Sequence, residues 1–340
     1  MFVGQSFLQA FALLAAALLP TACPLPFDSC ENETSSSVTT VHTVPEAASL
    51  ENIAIRSSGD ILVTSVASPT LFQLSPTNGY APISVAIIDE VAGLLGIVEL
   101  EQDLFYVVGS DLTSTENSNG IWKIDLRTFE TSRNGTVIRP AAVSLVQRVP
   151  SARQLNGMTQ LAANDTKTLL ISDSGLGTVI RLDVDSGIFE TVLQEPEMAP
   201  LATGLNIGVN GIRTRETDLF FVGLDQGIFA KIPISLGNGT GTGPVDILAS
   251  DITFGDDFTL SKDGKLAYVA TNGPQEALGI DAIRGGKNVL AASALLSSSS
   301  SVALDRFRPE STLYVTGAIS VGNGTVGHVA RIDIRCAAQT

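Results

Sequence analysis

Histidine occurs twice in the 340 residues, at His42 and His328, and tryptophan once, at Trp122. With so few ring nitrogens and only three cysteines, no Cys/His cluster has the spacing of a zinc site. No Gly-x-Ser-x-Gly elbow marks a serine nucleophile and no phosphate loop is present. A Ser-His-Asp triad thus has no sequence support, and both histidines read as structural or surface groups. Positive charge is also scarce. Lys and Arg total 20 against 35 Asp and Glu, a net charge of -15, and the basic residues form no cluster. Nucleic acid and anionic membrane surfaces are therefore poor partners, because phosphate binding needs a basic face.

Long apolar runs are confined to the start of the chain. Phe7 to Leu19 is rich in Ala and Leu, ends at Pro20-Thr21-Ala22 and is too short to span a bilayer comfortably. It reads as a secretory signal peptide, although Lys and Arg are missing ahead of it; a buried N-terminal helix is the alternative. Residues 1–22 are thus expected to be the signal, 23–40 a Ser/Thr-rich linker and 41–336 a single domain. The expected location is outside the cell or in the secretory lumen, with no membrane span. Five Asn-x-Thr sequons agree, at Asn32, Asn134, Asn164, Asn238 and Asn323. An oxidising compartment permits Cys30 and Cys336, near the two ends, to pair; Cys23 is either removed with the signal or left free.

Helical periodicity is missing from every long stretch. What is present instead is a recurring strand-turn-strand unit, clearest in Leu155 to Gly187, with turns at Asn164-Asp165, Asp173-Ser174-Gly175 and Asp185-Ser186-Gly187. Related stretches open near Glu51-Asn52, Val91, Asn156-Gly157, Asn210-Gly211, Asp256-Asp257 and Ser301, about every 45–55 residues, the period of propeller repeats. Six such units predict an all-β, six-bladed β-propeller, with the segment near His42 completing the blade that contains Ile332. A β-sandwich is the alternative.

In a propeller the residues before each innermost strand face one mouth of the central channel. Here these are Glu51 with Asn52, Gly93, Asn156, Asn210, Asp257 and Ser301 or its neighbours. Convergent polar groups of this kind make a ligand or metal site, whereas their plain reading is turn chemistry. Trp122, Tyr106, Phe220 and Phe221 lie in strand patterns and are expected between blades.

The segment Asn156-Gly157, Ile171-Ser172-Asp173-Ser174-Gly175 and Arg181-Leu182-Asp183 resembles the repeat of the senescence marker protein/gluconolactonase superfamily of six-bladed propellers. That resemblance implies a divalent ion (Ca²⁺, Mg²⁺ or Mn²⁺) held by Glu51, Asn156 or Asn210, and Asp257, in a lactone hydrolase. The chain departs from the pattern at Glu51-Asn52-Ile53 and Asp256-Asp257-Phe258, which sets the metal reading second. Glu51 to Leu62, Pro69 to Leu74 and Asp257-Phe258-Thr259 are more similar to a fungal secreted branch resembling the hetero-Diels–Alderases of tropolone–sesquiterpene biosynthesis. This implies apolar small-molecule substrates and no cofactor. Glu51 or Asp257 would be the acid that helps water leave, with Asn52, Asn156 and Asn210 binding substrate. A secreted binding propeller without chemistry is the third reading. Oligomeric state is not legible.

Overall fold

The computed structural model describes residues 36–77, 79–110 and 119–334. They form six four-stranded antiparallel sheets and one two-stranded ribbon, and the only helical segments among them are the 3-10 turns Pro196–Met198 and Ala294–Leu296. The innermost strands are Ile53–Ile55, Gly93–Glu101, Leu155–Gln160, Val209–Arg215, Gly255–Leu260 and Ser301–Leu304. Each touches the next, and the sixth touches the first, so the sheets are blades of a closed propeller. A sandwich of two large sheets is excluded by the same strand order. No described helix is long and apolar enough to cross a membrane.

The ring is closed by strand Ser37–Val44, which pairs antiparallel with Gly324–Asp333 and becomes the outer strand of blade six. Val38 stands opposite Ile332 and His42 opposite Val329, as the sequence predicted. The strand begins at Ser37, inside the stretch read as linker, because Ser-Val-Thr-Thr-Val-His-Thr-Val is rich in the β-branched residues that suit a pleated edge. Cys23, Cys30, Cys336, Asn32 and the signal segment lie outside the described residues.

The six hydrophobic clusters fall at the six blade interfaces. Middle strands are buried on both faces, which is why Leu104–Ser110 reads as a near-continuous apolar run. Trp122 packs between blades one and two with the Arg148 guanidinium 4.9 Å from its ring centre. Tyr106, Phe220 and Phe221 also sit between blades, as expected.

Both histidines serve the closure. His42 Nε2 lies 2.8 Å from the Ser75 carbonyl, and buried His328 Nε2 lies 3.1 Å from Thr40 Oγ1, so each ties blade six to another strand. Burial holds the His328 imidazole down to about 4. Its unfolded value is near 6.5, so the unfolded chain takes up the proton first and stability is lost as pH falls from about 6.5 to 4. His328→Gln is expected to flatten the fall in Tm over that window relative to wild type. An unchanged slope would show that His328 carries none of it.

Candidate active site at the channel mouth

In blades two to five the pairing of the innermost strand slips at one common height. The irregularities fall between Leu94 and Ile97, Leu155 and Met158, Val209 and Ile212, and Gly255 and Phe258. Each slip is a β-bulge that sets two residues against one and re-aims side chains toward the axis. The pairs are Leu95-Gly96, Asn156-Gly157, Asn210-Gly211 and Asp256-Asp257. Glu51-Asn52 facing Thr64 and Ser300-Ser301 facing Thr316 complete the ring in blades one and six. Blade two therefore contributes Leu95 at this height, and Gly93 lies one step outside, where a Cβ would strike the Val66 carbonyl at 2.1 Å.

The glycines have a packing reason that turn chemistry alone does not supply. A Cβ at Gly96 would sit 2.3 Å from the Asn156 carbonyl, at Gly157 2.4 Å from that of Asn210, and at Gly211 2.1 Å from Asp257 Oδ1. Each bulge thus nests under the bulge of the next blade. Three hydroxyls fasten the nest from the second strands. Thr64 Oγ1 donates to the Leu95 carbonyl (2.7 Å), Ser172 Oγ to that of Asn210 (2.6 Å), and Thr316 Oγ1 to that of Glu51.

This scaffold brings Glu51, Asp256 and Asp257 together in buried positions. Asp257 is ion-paired: its Oδ2 accepts from Arg213 Nη2 at 2.8 Å and from Ser301 Oγ at 2.7 Å. Asp256 has no cation. Asn210 Nδ2 donates to its Oδ1 at 2.6 Å and Asn272 Nδ2 to its Oδ2 at 3.2 Å. Burial, with the charge of Asp257 adding to it, pushes the Asp256 carboxyl up to about 7 against the pull of those two amides. Burial and then the charges of Asp256 and Asp257 raise Glu51 well above the usual carboxylate range. Three carboxyl groups share one guanidinium here, so burial and mutual repulsion favour the protonated forms of Glu51 and Asp256.

Below this ring the channel is lined by Ile53, Ile55, Ile97, Met158 and Val302 together with the polar Glu99, Thr159 and Thr259, around a cavity of about 180 Å³. Arg213 lines it too and reaches up to Asp257, with its guanidinium 5.6 Å from the Phe258 ring centre. The mouth thus sets two carboxyls that favour their protonated forms beside a well of mixed polarity.

Of the residues singled out from sequence, Glu51, Asn52, Asn156, Asn210 and Asp257 all lie buried in the bulge ring. Asn52 acts through its backbone, its N–H donating to Thr64 Oγ1 at 2.9 Å. Asn156 Oδ1 and Asp257 Oδ1 are buried without a hydrogen-bond partner. Sequence reasoning missed Asp256, Asn272 and Arg213. Asp256 was within reach, since it stands first in its pair just as Asn156 and Asn210 do; Arg213 and Asn272 come from other strand positions that no repeat alignment marks.

A divalent ion fits this donor set poorly. Asp257 already shares Arg213, Asp256 spends both oxygens on amides, and Asn210 turns its Nδ2 toward Asp256. What remains is Asn156 Oδ1, Asn210 Oδ1, Asp257 Oδ1 and the Glu51 carboxyl, fewer side-chain oxygens than the 6–8 ligands that Ca²⁺ gathers, so water would have to supply the rest. Among the described residues no three His, Cys, Asp or Glu side chains group as metal ligands.

Fold and mouth together define a six-bladed propeller with an acid-bearing channel entrance. No family model matches the chain. A protein from Phoma sp assigned as a hetero-Diels-Alderase is 28% identical over 239 residues, 64% of this chain and 67% of that one. A protein from Sarocladium schorii with the same assignment is 28% identical over 207 residues, 55% of this chain and 51% of that one, so the match spans about half of that relative's length. Among solved structures, a luciferin-regenerating enzyme superposes with a TM-score of 0.61 at 13% identity, covering 88% of this chain and 95% of the other. A calcium-binding protein, regucalcin, from Agrobacterium tumefaciens gives 0.59 at 13%, covering 89% and 95%. At that identity the likeness carries the fold alone.

Proposed function

We propose that the protein is a pericyclase of the hetero-Diels–Alder type, joining a tropolone to a humulene-type alkene in fungal meroterpenoid biosynthesis. The observation that carries this reading is Asp256, a buried carboxyl pushed up to about 7 and held by Asn210 and Asn272 at the rim of the channel. The names of the two relatives support it. An acid with a pKa near the working pH both holds a proton and gives it up readily.

In the first step Asp256 protonates the departing hydroxyl of a hydroxymethyl tropolone. Water leaves, and the neighbouring ring O–H returns a proton to the same carboxylate, giving an o-quinone methide and a restored acid. Asn156, whose buried Oδ1 has no hydrogen-bond partner, is the side chain assigned to accept that ring O–H once it turns toward the channel. Glu51, held protonated beside Asp256, stabilises the carboxylate while it is charged. The cycloaddition that follows moves no proton, and its acceleration comes from holding the two partners in one orientation. A well of about 180 Å³ is smaller than the roughly 300–1,000 Å³ of ordinary ligand pockets, so it admits part of one partner and leaves the rest at the mouth.

We also read the protein as secreted and glycosylated. Asn134, Asn164, Asn238 and Asn323 are all exposed, and the first three lie in turns on the face opposite the mouth.

Purified protein incubated with a hydroxymethyl tropolone and α-humulene, followed by chiral chromatography and mass spectrometry, tests the function. One adduct stereoisomer formed above background, with and without EDTA, is expected. Adducts at the background rate and as a racemate would overturn the reading, and a reaction abolished by EDTA would favour a metal-dependent hydrolase-like site instead.

A further inference from the structure

A second concavity opens on the mouth face, beside blades four and five and outside the channel. It has a volume of about 370 Å³ and is walled by Leu205, Leu224, Ile252 and Phe254, with Asp225 and Gln226 among its polar residues. Those polar groups are already committed. The Asp225 carboxylate accepts the backbone N–H groups of Leu201, Leu205 and Ile207 at 2.8–3.0 Å. Gln226 Nε2 donates to the carbonyls of Pro196 and Ala199. Those donors and acceptors therefore face inward to the loop, and Leu205, Leu224, Ile252 and Phe254 form the apolar part of a wall that also carries Thr203 and Thr253.

Phe254 is held unusually. Of the five described non-glycine residues with positive φ, it is the one aromatic, at +49°. A bulky L-residue adopts this region only when its surroundings force it. Two contacts do so: the Asn272 N–H donates to the Phe254 carbonyl at 2.8 Å, and the ring lies against Gly273, where a Cβ would come within 3.0 Å of Cδ2. Asn272 is also the residue whose side chain holds Asp256 Oδ2. One residue thus fixes both the aromatic wall of the concavity and the carboxyl at the channel rim, and Phe254 stands two positions before Asp256 in the chain.

We propose that this concavity is the subsite for the apolar, alkene-bearing partner, with Phe254 as its specificity-determining wall. The identity of the occupant rests on the function proposed above; the site itself rests on the committed polar groups, the volume and the shared Asn272. The tropolone occupies the rim over Asp256 and Asn156, and the alkene approaches it from the blade four and five side. The two binding places are separate, and substitutions in one leave the chemistry of the other intact.

The test uses the whole protein and α-humulene as the probe, its binding measured by headspace gas chromatography. Leu205→Trp fills the concavity from a half-exposed loop position, and Thr203→Trp does so from an exposed one if the first variant folds poorly. Either variant is expected to weaken humulene binding at least tenfold and to raise KM for the alkene, while the rate of water loss from the hydroxymethyl tropolone alone stays at wild type. Phe254→Leu is expected to change which alkenes are accepted, seen as a changed ratio of the KM values for humulene and a smaller alkene. Humulene bound equally by wild type and both tryptophan variants would overturn the subsite, even if adducts form. Humulene bound in the concavity with no adduct formed would retain the subsite and overturn the pericyclase reading.

Discussion

Asp256→Asn is expected to slow tropolone dehydration by about 10²–10⁴-fold, the usual worth of a positioned general acid. Wild-type activity should decline as pH rises above about 7, where Asp256 loses its proton, and that limb should vanish in the variant. Stability gives a second, independent readout. The folded-state carboxyl titrates above its unfolded value of about 3.9, so the folded chain binds more protons between the two values and stability falls as pH rises from about 4 to 7. The variant has no such group, and its Tm relative to wild type should climb over that window, by about 1.5 °C for each kcal/mol recovered. Asn cannot accept from both Asn210 and Asn272, so one amide contact is lost at every pH. The pH-dependent difference, and not the absolute Tm, is therefore the quantity to compare. A variant with wild-type turnover and a pH-independent Tm difference would remove Asp256 from the mechanism.

Gly157→Ala is expected to be strongly destabilising, as a methyl at any of the nested glycines would be. The added methyl would lie 2.4 Å from the Asn210 carbonyl oxygen and 3.0 Å from the Gly211 Cα, both of them backbone atoms of the neighbouring blade. No rotamer relieves that contact, so blade three must part from blade four. Overpacking of this kind costs about 3 kcal/mol, a fall in Tm of about 4–5 °C for a chain of this size. Because Ser172 Oγ bonds the carbonyls of both Gly157 and Asn210, the same displacement strains that link and shifts Asn156. Catalysis should therefore drop more than stability predicts. Gly324→Ala is the control, since nothing lies within 4 Å of its Cβ position, and it should leave Tm within about 1 °C. Equal effects of the two substitutions would mean that the nested bulges do not bear on stability.

The strand period and the spacing of Glu51, Asn156 and Asn210 were legible because each blade repeats one physical problem: a greasy sheet that needs a neighbour on each side. The ring closure was legible from β-branched residues around His42 and their complement near Ile332. The choice between Asp256 and Asp257 was not, because it depends on which carboxylate meets Arg213, and that contact joins residues 44 apart in sequence. The role of Asn272 was hidden for the same reason: nothing in the wording around it differs from an ordinary strand end. Glycine at Gly157 and Gly211 looked like turn chemistry, and only the neighbouring blade shows that space, and not dihedral freedom, demands it.

Strand Ser37–Val44 finds its partner in Gly324–Asp333, nearly the whole chain later. During synthesis the early strand therefore emerges long before anything exists for it to pair with. Five blades can assemble while it waits as a bare edge, and its alternation of hydroxyl-bearing residues with small Val keeps that edge soluble in the interval. The ring locks only when the final hairpin leaves the ribosome, so a chain stalled just short of that hairpin carries every residue of the bulge ring and no closed channel for them to guard.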